Sequence, residues 1–393
     1  MRNTAMLDFP VDEYEVRLSR LREQMAEQHV DGVLLTQEEN LRYFCGFRTV
    51  SWESKLTPVA SLVVALDGRI ALVCPQRLCE TAALTSCINK ADIHGFVAPF
   101  TYADAICDAV KKLNLQGKVL GFEAGMIARV NMDYRDYLSM RSQLSDTEFS
   151  YFARYIWKVR SIKSAREIEL YRKLSDISGK CYKKAFESVV LDKTTEKEVY
   201  HIFAEEAFKL GADSMPPLIV QFGKGRYIQA NCQPSDKVIT SKEHEFLFLD
   251  TGPAMKGYIS DTIRMAVVGG MSKRQMELRQ MADEALQFCL DMIHDGVPCY
   301  EVSAKMDAMV EAKGFGPWNQ TKGWTGHGLG LDVHEPPVLS CDCDVTIRKN
   351  MILSVEPLMM DAENGIIATE HNILVTENGY ENLTPWLSDM VIL

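Results

Sequence analysis

Two histidines seven residues apart, His327 and His334, lie in Gly323-Trp-Thr-Gly-His-Gly-Leu-Gly-Leu-Asp-Val-His-Glu-Pro-Pro337, a stretch suited to presenting side chains to a ligand. Glycine has no Cβ, so Gly326, Gly328 and Gly330 let backbone lie close to whatever His327 touches. Alone, such a histidine reads more readily as part of a tight turn. Four carboxylates in apolar or glycine-bounded stretches change that reading. Asp250 ends the run Phe246–Leu249, Asp261 closes Gly257-Tyr-Ile-Ser-Asp, Glu356 follows Ile352-Leu-Ser-Val, and Glu370 sits inside Ile366–Val375. Four carboxylates and an imidazole make a poor core unless cations neutralise them, and two divalent cations balance four negative charges.

Each acid also has an ordinary reading. A pair eleven residues apart arises by chance in a chain with 54 acids, and Glu356 or Glu370 taken singly reads as an edge-strand acid facing solvent. Asp250 and Asp261 flank the turn Thr251–Gly257 between two strand-like runs. In an antiparallel hairpin, directly paired residues share a face, so an aspartate on each arm can converge on one cation.

The elements that must position these groups follow from periodicity. Tyr14, Leu18, Leu21 and Met25 recur at helical spacing over 11–28, and 31–36 reads as a buried strand. A hairpin over 60–66 and 70–74 turns at Asp67-Gly68, and a helix over 103–113 precedes a strand over 119–122. A basic, polar segment, Lys158–Ser164, marks a boundary, giving an α/β domain over 1–158 and a second domain over 159–393. In the second, helices are expected over 165–190, 196–210 (capped by Thr194 or Thr195), 273–294 and 300–313. Strands are expected over 218–222, 245–250, 258–268, 351–356 and 366–375. There is no internal repeat at a fixed 20- to 50-residue period and no low-complexity segment.

A length of 393 residues implies two domains, and 47% hydrophobic content supports packed cores. A net charge of -11 argues against nucleic acid or an anionic membrane as partner. The first residues carry acids before any apolar run, and no stretch approaches the ~18 apolar residues of a membrane span, so neither a signal peptide nor an anchor is expected. Eleven scattered cysteines without a C-x-x-C fit reduced thiols and a cytoplasmic location. Cys341-Asp-Cys343 has the wrong spacing for a zinc knuckle and reads as a loop.

The order Asp250, Asp261, His327, Glu356, Glu370 resembles the five metal ligands of the pita-bread family, which includes methionine aminopeptidase, prolidase, aminopeptidase P and creatinase. The matching contexts are D-T-G-P-A-M-K-G-Y-I-S-D, G-H-G-L-G, H-E-P-P, V-E-P and T-E-H-N-I-L-V-T. They cover 160–393, and Asn40-Leu-Arg-Tyr-Phe-Cys-Gly-Phe47 is similar to the opening of the creatinase-type N-terminal domain. The resemblance implies an α+β pita-bread catalytic domain preceded by a creatinase-type α/β domain. It also implies that these five residues hold two divalent cations, that a shared water of lowered pKa is the hydroxide nucleophile, that Glu356 is the general base and that His334 steadies the substrate. Mostly oxygen donors with one imidazole favour manganese, with iron, cobalt or zinc as alternatives.

The implied function is a dinuclear-metal hydrolase of the Xaa-Pro dipeptidase or aminopeptidase type. Two departures lie around the substrate. Ala230–Asp236 contains none of the histidine that prolidases carry before the first aspartate, and Ala368 stands where they tend to have arginine. Glu370-His371 resembles the creatinase and ectoine-hydrolase branch, so a small-molecule C–N hydrolase, or a lyase of the dimethylsulfoniopropionate type, stays open beside the peptidase. A metal-free binding module is the alternative from another class. Trp52, Trp324 and Tyr227 read either as an aromatic substrate wall or as core and interface fillers. By analogy, the Trp52 loop reaches a neighbouring subunit, which implies a homodimer.

Overall fold

The computed structural model describes the chain except residues 5, 54–59, 98–100, 126–127, 226–231, 251 and 316–323, so Tyr227 lies outside the described residues. The chain divides into two compact units, Met1–Arg160 and Ser161–Leu393.

The first unit is built on a six-stranded sheet of order β4-β3-β2-β1-β5-β6. Its strands are β1 (Gly32–Leu35), β2 (Ser61–Ala65), β3 (Ile70–Pro75), β4 (Ile93–Phe96), β5 (Val119–Phe122) and β6 (Glu148–Tyr151). Its helices are α1 (Val11–Glu27), α2 (Glu38–Cys45), α3 (Cys79–Thr85), α4 (Tyr102–Lys112), α5 (Tyr134–Gln143) and α6 (Ala153–Ser161). Strands β1, β2 and β3 pair antiparallel, with the turn at Asp67-Gly68, whereas β4, β5 and β6 join in parallel. Leu34, Val63 and Val73 meet Ile106 and Val110 of α4 in a core that buries the apolar stripe of that helix. Buried Glu123 accepts from the Thr36 and Gln37 amides and from Asn40, satisfying the start of α2. Burial nonetheless lifts its pKa to about 7. Trp52 belongs to this unit, edge-to-face with Phe47 at 6.2 Å.

The second unit opens with α7 (Ala165–Glu187) and α8 (Glu196–Lys209), each started by a capping box, Ser164 with Glu167 and Thr195 with Glu198. There follow β7 (Ile219–Gly223), β8 (Phe246–Asp250), β9 (Ala254–Met255), β10 (Tyr258–Ile259) and β11 (Arg264–Val267). Helices α9 (Lys273–Met292) and α10 (Cys299–Ala312) lead to β12 (Trp324–Gly328), β13 (Glu335–Ser340), β14 (Ile352–Val355), β15 (Leu358–Asp361), β16 (Gly365–Ala368), β17 (His371–Val375), β18 (Tyr380–Asn382) and β19 (Val391–Ile392). Two sheets, β19-β11-β8-β7 and β13-β12-β14-β17-β18, carry the unit. Their apolar residues Phe246, Met265, Leu353 and Ile373 share one core with Leu286 of α9 and Val302 of α10.

Four expectations change. The run 258–268 is not one strand: β9 and β10 form a small hairpin of their own, and only β11 pairs with β8. The run 366–375 breaks into β16 and β17, leaving Thr369 and Glu370 in the gap. Within the glycine-histidine stretch Trp324–Gly328 is a strand, because Gly326 admits close pairing with β14. The segment 158–164, read from its basic, polar residues as a boundary, is helical in its first part and largely buried. Helix α6 runs through it to Ser161, Ile162 bridges to Met351, and Lys163 is buried.

Candidate metal centre

Strand β12 lies between β13 and β14, with His327 opposite Ser354, and Ser354 is opposite Asn372 of β17. Directly paired residues of antiparallel strands share a face, so these three side chains form one row. Glu356 and Glu370 each stand two residues from that row along their own chains and project from the same face. Both lie just outside a strand, where the backbone is free to aim an acid inward. Ser354 Oγ donates to Glu370 Oε1 in a short hydrogen bond, and His327 Nε2 lies 3.2 Å from Glu356 Oε1. At Gly326 an added Cβ would fall 2.0 Å from the Ser354 carbonyl oxygen, so only glycine lets β12 approach β14 this closely.

Asp250 ends β8 of the other sheet, and Asp261 lies in the segment that leads into β11. Leu249 of β8 pairs with Arg264 of β11, which puts Ile263 opposite Asp250 and Asp261 two residues further on the same face. Asn372 fixes Asp261 by donating from Nδ2 to the Asp261 carbonyl oxygen and accepting the Asp261 amide at 3.4 Å. As a result, ligand atoms of Asp250, Asp261 and Glu370 lie within 4.8 Å of one another, and so do those of Asp261, His327 and His334. Asp261 is common to both groups. The His327 and His334 rings meet edge-to-face at 4.2 Å.

The polar atoms are arranged for a cation rather than for one another. His327 Nδ1 sits 3.0 Å from the Gly328 carbonyl oxygen, which can only accept, so Nδ1 carries a proton and Nε2 is the nitrogen turned toward the carboxylates. That Nε2 is buried without a hydrogen bond, as is Glu370 Oε2, and buried polar atoms are rarely left so. Burial first, then Glu370, Asp250 and Glu356, push the Asp261 carboxyl well above its ordinary range; burial, Glu356 and Asp250 do the same to Glu370. Burial also opposes ionisation of Glu356, but His327 and the Trp324 indole N–H outweigh it and hold that carboxyl below its ordinary range. The acids thus cannot all ionise without added positive charge. Oxygen donors with one imidazole nitrogen fit a divalent cation.

His334 is exposed as a residue, yet burial of its ring against the centre, with His327 beside it, lowers its pKa to about 4, leaving a neutral imidazole at neutral pH. Trp324 donates from Nε1 to Glu356 Oε1 at 3.2 Å and stands edge-on to His334 at 6.0 Å. It is therefore tied to an acid as well as facing the cleft side of the histidines. His371 is turned away: its Nδ1–H donates to the Thr384 carbonyl oxygen at 3.0 Å, and burial with Arg264 lowers its pKa to about 4.

Sequence reasoning missed Ser354, Asn372 and Arg264. Serine and asparagine carry no signal until strand register puts them in the row with His327. Arg264 is 2% exposed, and its guanidinium donates to the carbonyl oxygens of Ile263, Glu370, Thr384 and Trp386 while lying 4.6 Å over the Trp386 ring. Burial lowers its pKa to about 10, so it remains a fixed cation behind the acids.

Comparison with known proteins identifies the family. Residues 169–377 match metallopeptidase family M24, and residues 17–162 match the creatinase/prolidase N-terminal domain. Among curated relatives, the uncharacterized peptidase YqhT of Bacillus subtilis (strain 168) is 29% identical over 382 residues, covering 96% of this chain and 100% of its own. The uncharacterized peptidase MW1651 of Staphylococcus aureus (strain MW2) is 25% identical over 371 residues, covering 94% and 98%. Among solved structures, the Xaa-Pro dipeptidase from Bacillus anthracis superposes with a TM-score of 0.82 at 27% identity, covering 97% of this chain and 100% of that one. Dipeptidase PepE from Mycobacterium ulcerans shares the fold, with a TM-score of 0.84 at 20% identity over 98% and 99% of the chains. With a pita-bread catalytic domain behind a creatinase-type N-terminal domain, the chain belongs to metallopeptidase family M24.

Proposed function

We propose that this metallopeptidase is an Xaa-Pro dipeptidase or aminopeptidase that uses two divalent cations, manganese first among them. The observation that carries the reading is the pair of ligand groups sharing Asp261, with the buried, unbonded His327 Nε2 and Glu370 Oε2 turned toward them. In this reading Asp250, Asp261, His327 and Glu370 of those groups hold the cations together with Glu356, which lies 3.2 Å from His327 Nε2, while His334 faces the substrate. Divalent cations there supply Lewis acidity and bring the pKa of water toward neutrality.

The chain's own residues do the rest. Glu356, kept ionised by Trp324 and His327, accepts a proton at Oε1 or Oε2 from the attacking water and returns it to the leaving amine. Neutral His334 donates from a ring N–H to the substrate carbonyl oxygen as charge develops there, an interaction that typically contributes a few kcal/mol to the barrier. Ser354 and Asn372 hold Glu370 and Asp261 in place, so little reorganisation is needed during reaction. The sharing of Asp261 between the groups makes it the residue whose loss removes most.

The test is turnover of Gly-Pro and Ala-Pro dipeptides by the manganese-reconstituted protein. Cleavage that Asp261→Ala abolishes supports the reading. Metal binding with no cleavage of either dipeptide overturns the Xaa-Pro assignment in favour of a non-peptide C–N bond.

A further inference from the structure

One buried ion pair is unused by the chemistry above. Lys163 Nζ lies 3.5 Å from Glu335 Oε2, with the two side chains 2% and 1% exposed. Neither side chain reaches bulk solvent, and burying opposite charges this way stabilises little by itself, so the pair invites a positional explanation. Glu335 follows His334 directly. Its other oxygen, Oε1, accepts the Leu331 amide at 2.7 Å and the Asp332 amide at 3.2 Å, so one carboxylate clamps the loop between β12 and β13. The clamp is tight: a Cβ on Gly330 would fall 2.0 Å from that same Oε1.

The clamped loop is tied to the centre from both sides. The Gly330 carbonyl oxygen accepts the Ile259 amide at 3.0 Å and the Tyr171 hydroxyl at 3.2 Å. Ile259 stands two residues before Asp261, and the same loop brings the His334 ring to 4.2 Å from His327. Lys163 is itself held, because its amide donates to the Asn350 carbonyl oxygen at 2.8 Å and its neighbour Ile162 bridges to Met351, just ahead of β14. The ammonium therefore sits on backbone fixed to the strand that carries Ser354 toward Glu356.

We propose that Glu335, neutralised by Lys163, is a positioning residue that sets His334 against the metal centre by clamping the 329–334 loop. Glu335 touches no reacting atom; it acts through the loop. The inference rests on the Xaa-Pro reading only for what His334 does to a substrate. Glycine at 330 and lysine at 163 then follow from one requirement, a carboxylate buried where a side chain would otherwise stand.

The test uses the full chain with isotope-labelled histidine, comparing Glu335→Ala, Lys163→Met and the double variant Lys163→Met/Glu335→Gln, which removes both charges but keeps an oxygen acceptor. The His334 ring signal, identified by its loss in His334→Gln, and amide exchange at Leu331 and Asp332 are read in metal-free protein without substrate. Glu335→Ala is expected to move the His334 signal and to lower protection of both amides at least about tenfold. On manganese reconstitution its kcat for Gly-Pro falls at least about tenfold, since displacement of about 1 Å costs on the order of a hundredfold, while KM changes less than about threefold. The double variant is expected to recover the signal and the protection that Lys163→Met alone loses.

An unmoved His334 signal with full protection in Glu335→Ala overturns the clamp, and a double variant no better than Lys163→Met overturns the pairing. If Glu335→Ala does not fold, the second comparison decides. If the parent fails to cleave any Xaa-Pro dipeptide, the ring signal and the exchange still decide, so the two readings fail separately.

Discussion

Gly326→Ala is a single-methyl perturbation whose effect can be worked from the strand geometry. The added Cβ would meet the Ser354 carbonyl oxygen at 2.0 Å, against a closest tolerable approach of 3.0 Å, and the atom it meets is backbone that cannot swing aside. Strands β12 and β14 must part by about 1 Å, and with them His327, Ser354 and the Glu370 that Ser354 holds. Overpacking of this kind costs about 1–3 kcal/mol, which for a unit of this size lowers Tm by roughly 2–12 °C. The cost to catalysis is larger, because misplacing the constellation by about 1 Å costs on the order of a hundredfold in rate. The assay is dipeptide turnover beside a thermal melt and metal content in the same preparation. A folded variant that binds metal and turns over as the parent does would refute the argument that strand proximity sets the centre.

Three further outcomes follow from the same geometry. In metal-free protein the raised Asp261 and Glu370 carboxyls hold protons that a cation must displace, so manganese affinity rises with pH by up to about tenfold per unit for each proton released. Those held protons stabilise the metal-free fold fully below the ordinary carboxyl pKa of about 4, and this contribution is lost as pH rises through the raised values. The metal-induced gain in Tm therefore grows as pH rises above the ordinary carboxyl range through the raised values, and a gain that is flat with pH contradicts the assignment. Trp324→Phe removes the indole donor to Glu356, so kcat falls roughly tenfold and the acid limb of the kcat/KM profile moves to higher pH; a change confined to KM would make Trp324 a substrate wall instead. Arg264→Met leaves the carbonyl oxygens of Glu370, Thr384 and Trp386 without this donor and costs roughly 3–5 kcal/mol in urea unfolding, where a change below about 1 kcal/mol would contradict its structural role.

Much of the second unit was legible because metal-ligand chemistry contradicts strand chemistry. An acid inside an apolar run signals itself, and Glu356 and Glu370 do so by ending and interrupting strands. Helix α8 was legible together with its cap, since Thr195 is one of the two threonines expected there. Residues whose meaning depends on register were not. Ser354 and Asn372 became part of the site only once β12, β14 and β17 were aligned, and the β9–β10 hairpin between the aspartates lies in a short stretch where periodicity has too few residues to speak. Lys163 carried no signal of its own, because burial of a lysine is decided by its partner, Glu335, which lies 172 residues away in sequence and beside it in space. Trp324 was legible as a neighbour of His327 but not as a donor to Glu356, which its position on β12 decides.

The central claim is that five side chains from two sheets form one two-cation centre. Its most direct test is manganese bound per chain after reconstitution and desalting, measured by plasma mass spectrometry on the parent and on Asp261→Ala. The account predicts about two per parent chain and fewer than about one for the variant, since Asp261 serves both groups. A parent that retains no manganese, or an Asp261→Ala that retains as much as the parent, contradicts it.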